Sequence, residues 1–338
     1  METHPGALKG AVTARAFEAG DEPRVLEILQ AAFGRWHPDT PGLTPGEFFR
    51  WKHNAGPHGP SILLVAEVDG VIIAFAAYMP WRFTARGQTL AAMRGVDLAT
   101  HPSHRGLGAS IVIRSVVDFP DEVAFVWSNP NEQSRPGSLK SGRRQIGRLP
   151  RFIRPRGPLR ETIRRARAKG SKTPERLQID APTAAEILRD GVPLPPPLPR
   201  AGKSGDRLAT VKDLDYLRWR YGHLGDYRAL AGREDRGGGL AIFRTRRHGP
   251  FWVTHLCELF LEREDPRSLR ALLRLVGQAA PVDFLSCNFP SRRQAALCGF
   301  APLRRGTMLM AYPLRENLLP DPTRLDSWAL SVGDLELL

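Results

Sequence analysis

The segment RGVDLATHPSHRGLGASIVIRSVVDF, residues 94–119, decides the fold prediction for this chain. Its apolar residues predict a strand at 96–100, a tight loop at 101–107 and then a helix. Gly106 and Gly108 belong to the loop region, and glycines let a backbone approach a ligand closely because they carry no side chain. The residues predicted to share the apolar face of the helix are Ile111, Val112, Ser115 and Val116.

The loop before this helix predicts an anion site. Backbone N–H groups at a helix start, together with the helix dipole, favour bound phosphate. The P-loop spacing is absent, because no Lys followed by Ser or Thr comes after the last glycine. The dinucleotide fingerprint needs a third glycine that this segment does not have.

The loop resembles motif A of the GCN5-related N-acetyltransferases (GNAT), in which a strand leads into Q/R-x-x-G-x-G/A. Ser110 stands where that family usually has Gly or Ala. The resemblance implies that the loop amides hold the pyrophosphate of acetyl-CoA, the co-substrate. The implied cofactor-binding residues are Arg105, Gly106, Leu107, Gly108, Ala109 and Ser110. An ordinary strand-to-helix turn with capping glycines is the alternative interpretation.

The remaining elements of the first 150 residues follow the order β-α-α-β-β-β-α-β-α, which is the order of the acetyltransferase fold. The turn residues Asp69-Gly70 predict a hairpin between strands at 61–68 and 71–79. A capping box, Thr44-Pro45-Gly46-Glu47, predicts a helix start. Further elements are predicted at 12–17, from 21 to 33, at 88–100, at 123–128 and at 132–141.

The second half repeats the first weakly. Phe49-Arg50-Trp51-Lys52 recurs as Leu217-Arg218-Trp219-Arg220, and 123–131 resembles 282–291. The loop at 261–266, before the counterpart helix, has three acids and no glycine, and should repel a pyrophosphate. We therefore predict an α/β fold with mixed α+β sheets and tandem GNAT domains, the second degenerate. The predicted divisions are a GNAT domain at 1–155, a basic and Pro-rich connector at 156–205, a degenerate domain at 206–320 and a tail at 321–338.

Three short motifs look most like acetyltransferases found beside bacterial polysaccharide-biosynthesis genes. They are the W-K-x-N helix end at 51–54, the P-N-x-x-S segment at 130–134 and L-x-W-R-Y at 217–221. This resemblance implies a small-molecule acceptor, with an amino-sugar or sugar hydroxyl as the candidates. Trp51 and Trp219 themselves are predicted to pack in the core or at an interface.

The net charge of +14 suits an anionic partner such as the CoA phosphates. Residues 143–176 hold thirteen Lys or Arg and two acids, which indicates a solvated face, a polyanion site or a weak contact with an anionic membrane surface. Charge alone does not predict a specific nucleic-acid partner. No apolar stretch is long enough for a membrane span or a signal peptide, so we expect a cytoplasmic protein. Cys257, Cys287 and Cys298 form no C-x-x-C pair and predict buried thiols rather than a metal site.

Acyl transfer needs donors for the thioester oxyanion, a proton acceptor for the amine and a proton donor for the leaving thiolate. By resemblance, the donors are backbone N–H groups of Leu98, Ala99 and Thr100. Asp97 is the candidate base, since burial in an apolar strand would raise its pKa. Bracing of a loop is the alternative role for Asp97, and Glu67 and His101 are weaker candidates for the base.

The general acid is where the sequence departs from the family. The position of the usual tyrosine is occupied by Ser138, which is a weak donor. Tyr78 from a neighbouring strand, or Tyr221 or Tyr227 from the second half, would substitute if its hydroxyl reaches the cleft. Asn131 and Ser134 are predicted to contact the CoA arm or to shape the cleft.

The leading hypothesis is therefore an acetyl-CoA-dependent N- or O-acetyltransferase with its acceptor between the two halves. A tRNA-dependent aminoacyl transferase of the peptidoglycan-bridge type would also explain a basic surface. A catalytically silent module that keeps only the fold is the third reading. The sequence leaves the oligomeric state open.

Overall fold

The protein is described by a computed structural model that covers residues 10–34, 36, 43–157, 177–189, 205–232, 238–262, 265–289, 292–304 and 306–335. Of the predicted connector, residues 158–176 and 190–204 lie outside this description. Residues 158–176 of the basic segment at 143–176 therefore lie outside the described residues, and the interpretation of that segment stays a prediction.

The first half has the predicted order of elements. Thr44 Oγ1 accepts a hydrogen bond from Glu47 N at 3.2 Å, which is the predicted capping box. The elements are β1 (Thr13–Ala16), α1 (Glu22–Phe33), α2 (Pro45–Asn54), β2 (Ile62–Val68), β3 (Val71–Ala85), β4 (Gln88–Thr100), α3 (Ala109–Ser115), β5 (Val123–Ser128), α4 (Arg135–Lys140), β6 (Arg144–Leu149) and β7 (Phe152–Pro155).

The second half runs through a similar series of elements. They are α5 (Ala184–Ile187), β8 (Ala209–Thr210), α6 (Leu214–Gly222), β9 (Tyr227–Ala231), β10 (Leu240–His248), β11 (Phe251–Phe260), α7 (Pro266–Ala279), β12 (Phe284–Cys287), α8 (Arg292–Leu297), β13 (Ala301–Pro302), β14 (Thr307–Pro313) and α9 (Val332–Leu335). All three cysteines are buried and in the thiol form, as predicted. Among the described helices, none is long and apolar enough to cross a membrane.

The two halves exchange a strand. The first sheet has the order β1-β2-β3-β4-β5-β14-β6, with β8 paired to β3, and the second has the order β13-β7-β12-β11-β10-β9. Strand β14 of the second half therefore lies between β5 and β6, and β7 of the first half lies between β12 and β13. Pairing thus crosses the predicted division at residue 155, which itself stays a prediction.

The repeated tryptophans meet where the two halves pack together. Trp51 of α2 and Trp219 of α6 stack with ring centroids 5.6 Å apart. Each indole N–H donates to the other residue's backbone carbonyl, at 3.0 Å from Trp51 and 3.2 Å from Trp219. Both side chains are buried, so their predicted packing role is confirmed. The reciprocal bonds place equivalent helices face to face.

The first sheet is covered on both faces. Helices α1 and α2 belong to the main apolar cluster, which also contains α6, whereas α3 packs in a separate cluster on the opposite face. The predicted buried face of α3 is wrong, because Ala109 and Ile113 are buried while Ile111 and Val116 are 39% and 46% exposed. The helix has only seven residues, so its start at Ala109 sets which i, i+4 pair meets the sheet.

Candidate functional site

The site forms where two parallel strands separate. Strands β4 and β5 pair from Ala91 opposite Val123 to Arg94 opposite Trp127. Beyond Arg94, β4 continues to Thr100 with β3 as its strand partner, so its backbone on the β5 side is open. The predicted oxyanion donors at 98–100 lie on this open stretch.

A β-bulge bends β4 at the separation. The pairing of β3 with β4 shifts between Phe75 and Ala77, which leaves Asp97 and Leu98 opposite Ala76. Asp97 has φ of +51°, a left-handed conformation that is uncommon for a residue with a side chain. Bulges bend strands and redirect side chains beside functional sites, and this one lies just beyond the point where β4 and β5 cease to pair.

A cavity of about 480 Å³ lies in the gap between β4 and β5. The predicted residues that line it are Tyr78, Asp97, Leu98, Asn131, Ser134 and Ser138. Its other lining residues include five cations that sequence reasoning did not select, namely Lys52, Arg94, Arg114, Arg143 and Arg244. Tyr78 packs with α3, whereas Arg94 lies over the rings of Trp81 and Trp127 on the opposite face of the sheet. The cavity therefore has one end on each face.

The predicted phosphate loop lies at the start of α3. Gly106 and Gly108 have φ of +94° and +79°, and no atom lies within 4 Å of a Cβ built on either residue. Gly108 is the N-cap residue and has no side chain to accept from the helix amides. Among the described residues, the N–H groups of residues 106–110 have no hydrogen-bond acceptor. Five adjacent free donors make this loop suitable for a phosphate.

Asp97 is an ion-paired carboxylate. Its Oδ2 lies 2.8 Å from Lys52 Nζ and 3.1 Å from His53 Nε2. We expected a raised pKa, and this is wrong. Burial alone would raise it, but the charge of Lys52 and the contact with His53 outweigh burial and hold the pKa of Asp97 below its usual value. The lowered pKa of Asp97 was not predicted from the sequence, because Lys52 and His53 are far from Asp97 along the chain.

Tyr78 reaches the cavity. Its ring lies over the backbone of β4, because a Cβ built on Gly95 would be 3.8 Å from Tyr78 Cε1. Arg143 Nη2 donates to the Tyr78 hydroxyl at 3.1 Å. No described residue accepts the Tyr78 hydroxyl hydrogen, so this hydrogen is available to a ligand. Tyr221 instead donates to Glu258 at 2.6 Å, and Tyr227 accepts from Arg220 at 2.9 Å.

Ser138 also lines the cavity, but its hydrogen is already used. Its hydroxyl donates to the Ser134 carbonyl at 3.1 Å and accepts from Arg114 Nη2 at 3.2 Å. Asn131 Oδ1 accepts from Ser134 N at 2.8 Å, an Asx turn that leads into α4. Residues 131–138 are therefore held in place beside the cavity mainly by their own hydrogen bonds.

The two weaker candidates for the base lie outside the cavity lining. Glu67 is 3.3 Å from Arg15 on the β1–β2 pair. His101 Nδ1 is 2.6 Å from Ser103 Oγ, in the turn at 102–104. Neither side chain belongs to the lining residues of the cavity.

The second half closes the other end of the cavity. Arg94 Nη2 donates at 3.0 Å both to Asn129 Oδ1 and to the carbonyl of Leu335, the last residue of α9. Burial lowers the pKa of Arg94 to about 9. Arg244 of β10 and Leu335 are lining residues, so the cavity lies between the two halves. A buried arginine in the apolar stretch AAMRGVD was the one signal in the sequence for Arg94.

Residues 13–114 match the family of acetyltransferase (GNAT) domains. No curated protein matches the chain. The fold resembles a probable N-acyltransferase from Enterococcus faecalis V583, with a TM-score of 0.59, 12% identity, and coverage of 90% of this chain and 73% of that one.

Two further structures are similar over comparable lengths. A GCN5-related N-acetyltransferase from Anabaena variabilis ATCC 29413 has a TM-score of 0.59 and 13% identity, and covers 90% of this chain and 73% of its own. One from Kribbella flavida has a TM-score of 0.57 and 15% identity, with 91% and 72% covered. At these identities the likeness is one of fold, and it extends over both halves.

Proposed function

We propose that the protein moves the acetyl group of acetyl-CoA to the amine of a small-molecule acceptor, from the premise that residues 13–114 match the acetyltransferase (GNAT) domain family. The observation that carries the proposal is the run of free N–H groups at 106–110 beside the open edge of β4. A pyrophosphate at the loop would direct the pantetheine arm along that edge. The thioester would then enter the gap between β4 and β5.

The proposed reaction assigns one end of the cavity to the thioester and the other end to the acceptor. The acceptor nitrogen attacks the thioester carbonyl carbon, and the backbone N–H groups of the 98–100 stretch that face the open edge stabilise the oxygen as it becomes negative. The C–S bond then breaks, its electron pair goes to sulfur, and the Tyr78 hydroxyl donates a proton to the sulfur. Water returns a proton to Tyr78. The acceptor enters from the face lined by Lys52, Arg244 and Leu335.

Asp97 has a positioning role in this mechanism. Its ion pair with Lys52 and its contact with His53 hold the bulge that opens β4, and a lowered pKa makes it a poor base. The acceptor amine therefore loses its proton to water. An amino-sugar remains the acceptor we would try first, from the resemblance of 51–54 and 130–134 to polysaccharide-associated acetyltransferases.

Calorimetric titration of acetyl-CoA into the wild type, Gly108→Glu and Gly108→Gln tests the proposal. The two variants impose similar bulk and the same backbone strain at φ of +79°, but only glutamate adds charge. We expect micromolar binding to the wild type and a loss of about 100-fold or more in Gly108→Glu, equivalent to about 2.7 kcal/mol. Gly108→Gln should bind more tightly than Gly108→Glu.

Equal binding by all three proteins, or binding by none, would contradict the proposal. Binding of charged tRNA without acetyl-CoA would favour the aminoacyl transferase. Acetyl-CoA binding without turnover on a panel of amines and sugars would favour the silent module.

A further inference from the structure

The end of the cavity on the α3 face contains two arginines around one tyrosine. Arg114 lies on α3, Arg143 follows α4, and both line the cavity with Tyr78. Arg143 donates to the Tyr78 hydroxyl at 3.1 Å, and its guanidinium carbon lies 5.5 Å from the centre of the Tyr78 ring. Arg114 also interacts with Tyr78. Arg143 therefore places a positive charge at the phenol oxygen, and Arg114 lies close enough to Tyr78 to interact with it electrostatically.

The arginines are held there by neutral groups. Arg114 donates to the hydroxyls of Ser138 at 3.2 Å and Ser141 at 3.4 Å. Neither arginine is in an ion pair with a carboxylate of the described chain. Burial, and then the charge of Arg143, lower the pKa of Arg114 to about 10. Two like charges close together without a counter-ion are costly unless negative charge arrives during function.

The remaining charged groups of the cavity do not supply that negative charge. Asp97 is the one carboxylate among the lining residues, and it contacts Lys52 and His53 on the other face of the sheet. Lys52, Arg94 and Arg244 add further positive charge. The anion that Arg114 and Arg143 fit must therefore come with a ligand.

We propose that Arg114 and Arg143 stabilise the leaving thiolate of CoA, in a site where the tyrosine usual for the family is replaced by Ser138. When the C–S bond breaks, its electron pair goes to sulfur, and the guanidinium groups of Arg114 and Arg143 stabilise this thiolate before the Tyr78 proton reaches it. Water then returns a proton to Tyr78, whose oxygen accepts a hydrogen bond from Arg143. Ser138 is a positioning residue that holds Arg114. The inference rests on the proposed function, because it requires CoA in the cavity.

The test is the acidity of the thiol of bound CoA, which needs no acceptor. CoA is bound to the wild type, Arg114→Gln, Arg143→Gln and Arg143→Lys, and the ultraviolet absorbance of its thiolate is titrated with pH. Complexes with desulfo-CoA, which lacks the sulfur, are subtracted to remove absorbance from tyrosines and cysteines. A free thiol has a pKa of about 8.5.

We expect the thiol to be about tenfold more acidic in the wild-type complex, which is a pKa lower by about one. Each Gln variant should lose most of this effect, and Arg143→Lys should keep more of it than Arg143→Gln. A bound thiol with the acidity of free CoA in the wild type would overturn the inference and leave the acetyltransferase proposal intact. Failure of CoA and acetyl-CoA to bind at all would overturn the proposed function instead.

Discussion

Helices α3 and α7 begin at equivalent places in the two halves. They differ in whether a side chain of the protein accepts hydrogen bonds from the backbone N–H groups at the helix start. At α3 the N-cap is Gly108, and the preceding amides are free within the described chain. At α7 the N-cap is Asp265, whose Oδ1 accepts from Arg267 N at 2.7 Å and from Ser268 N at 3.0 Å. A carboxylate of the chain itself therefore occupies the place that a ligand phosphate would take.

The two halves also differ at the gap between two parallel strands, which is open between β4 and β5 and filled between β11 and β12. Pairing of β11 with β12 ends at His255 opposite Ser286, so Glu258 lies three residues beyond it, as Asp97 lies three residues beyond Arg94. In the second half this place is filled by α9. A Cβ built on Gly333 would lie 1.9 Å from the Tyr221 hydroxyl and 2.5 Å from Glu258.

The comparison shows how one architecture provides both a ligand site and a structural element. The first half keeps its amides and its gap free, which costs stability and leaves space for a cofactor. The second half fills both with its own side chains and helix, which stabilises the molecule and removes the site. Three changes test this contrast.

The largest effect on stability is expected in the second half, at the gap that α9 fills. Lys212 Nζ lies 2.5 Å from Glu258 and 3.1 Å from Asp334, and these carboxylates raise its pKa although burial opposes them. Lys212→Met leaves two buried carboxylates without a cation. We expect a loss of about 3–5 kcal/mol in the free energy of unfolding, measured with urea.

Lys212→Arg is the matched control, because it keeps the charge, and it should lose less stability. The acetyl-CoA affinity of folded Lys212→Met should equal that of the wild type. A stability change below about 1 kcal/mol, as for an exposed ion pair, would contradict a structural role for the filled gap.

The second change removes the corresponding carboxylate of the open gap. Asp97→Asn should cost about 2 kcal/mol at pH 7, less than Lys212→Met because the cavity admits water to Lys52. The lowered pKa of Asp97 stabilises the folded state above the unfolded value of about 3.9, and this contribution is lost as the pH falls towards the folded value.

The difference in stability between wild type and Asp97→Asn should therefore narrow as the pH falls below about 4. Urea unfolding at pH 7 and at the lowest pH where both proteins fold measures it. A difference that stays constant over this range would show that Asp97 is not stabilised as an anion.

The smallest effect on stability is expected at the start of α7, where Asp265 caps the helix. Asp265→Ala removes the acceptor of two α7 amides and should destabilise the protein by about 1 kcal/mol. Asp265→Asn, which keeps an acceptor oxygen, should lose less. Calorimetry should still find a single acetyl-CoA site, because the loop at 261–266 has no glycine. A second site appearing in Asp265→Ala would show that this side chain alone blocks the second half.

Local chemistry made much of the first half predictable. Asp69-Gly70 lies at the β2–β3 hairpin, Thr44 and Glu47 form the capping box, and the glycines at 106 and 108 adopt positive φ before α3. Each of these features depends on residues within a few positions of one another. The sequence therefore contained all of the information needed.

The chemistry inside the cavity depended on distant residues. Lys52 and Asp97 are 45 positions apart, and Arg143 and Tyr78 are 65 apart. A single sequence does not show which of its many cations meets which anion or phenol. The predicted sign of the Asp97 pKa shift failed for this reason, and the strand exchange of β7 and β14 was missed for the same one.

That exchange has a consequence for how the chain is made. The space between β5 and β6 is filled by β14, at residues 307–313, so a ribosome must synthesise nearly the whole chain before the first sheet is complete. A gene fragment ending at residue 155 would leave that space empty and β7 without β12 and β13. Each sheet therefore needs a strand from the other half, and neither half is expected to fold when it is expressed alone.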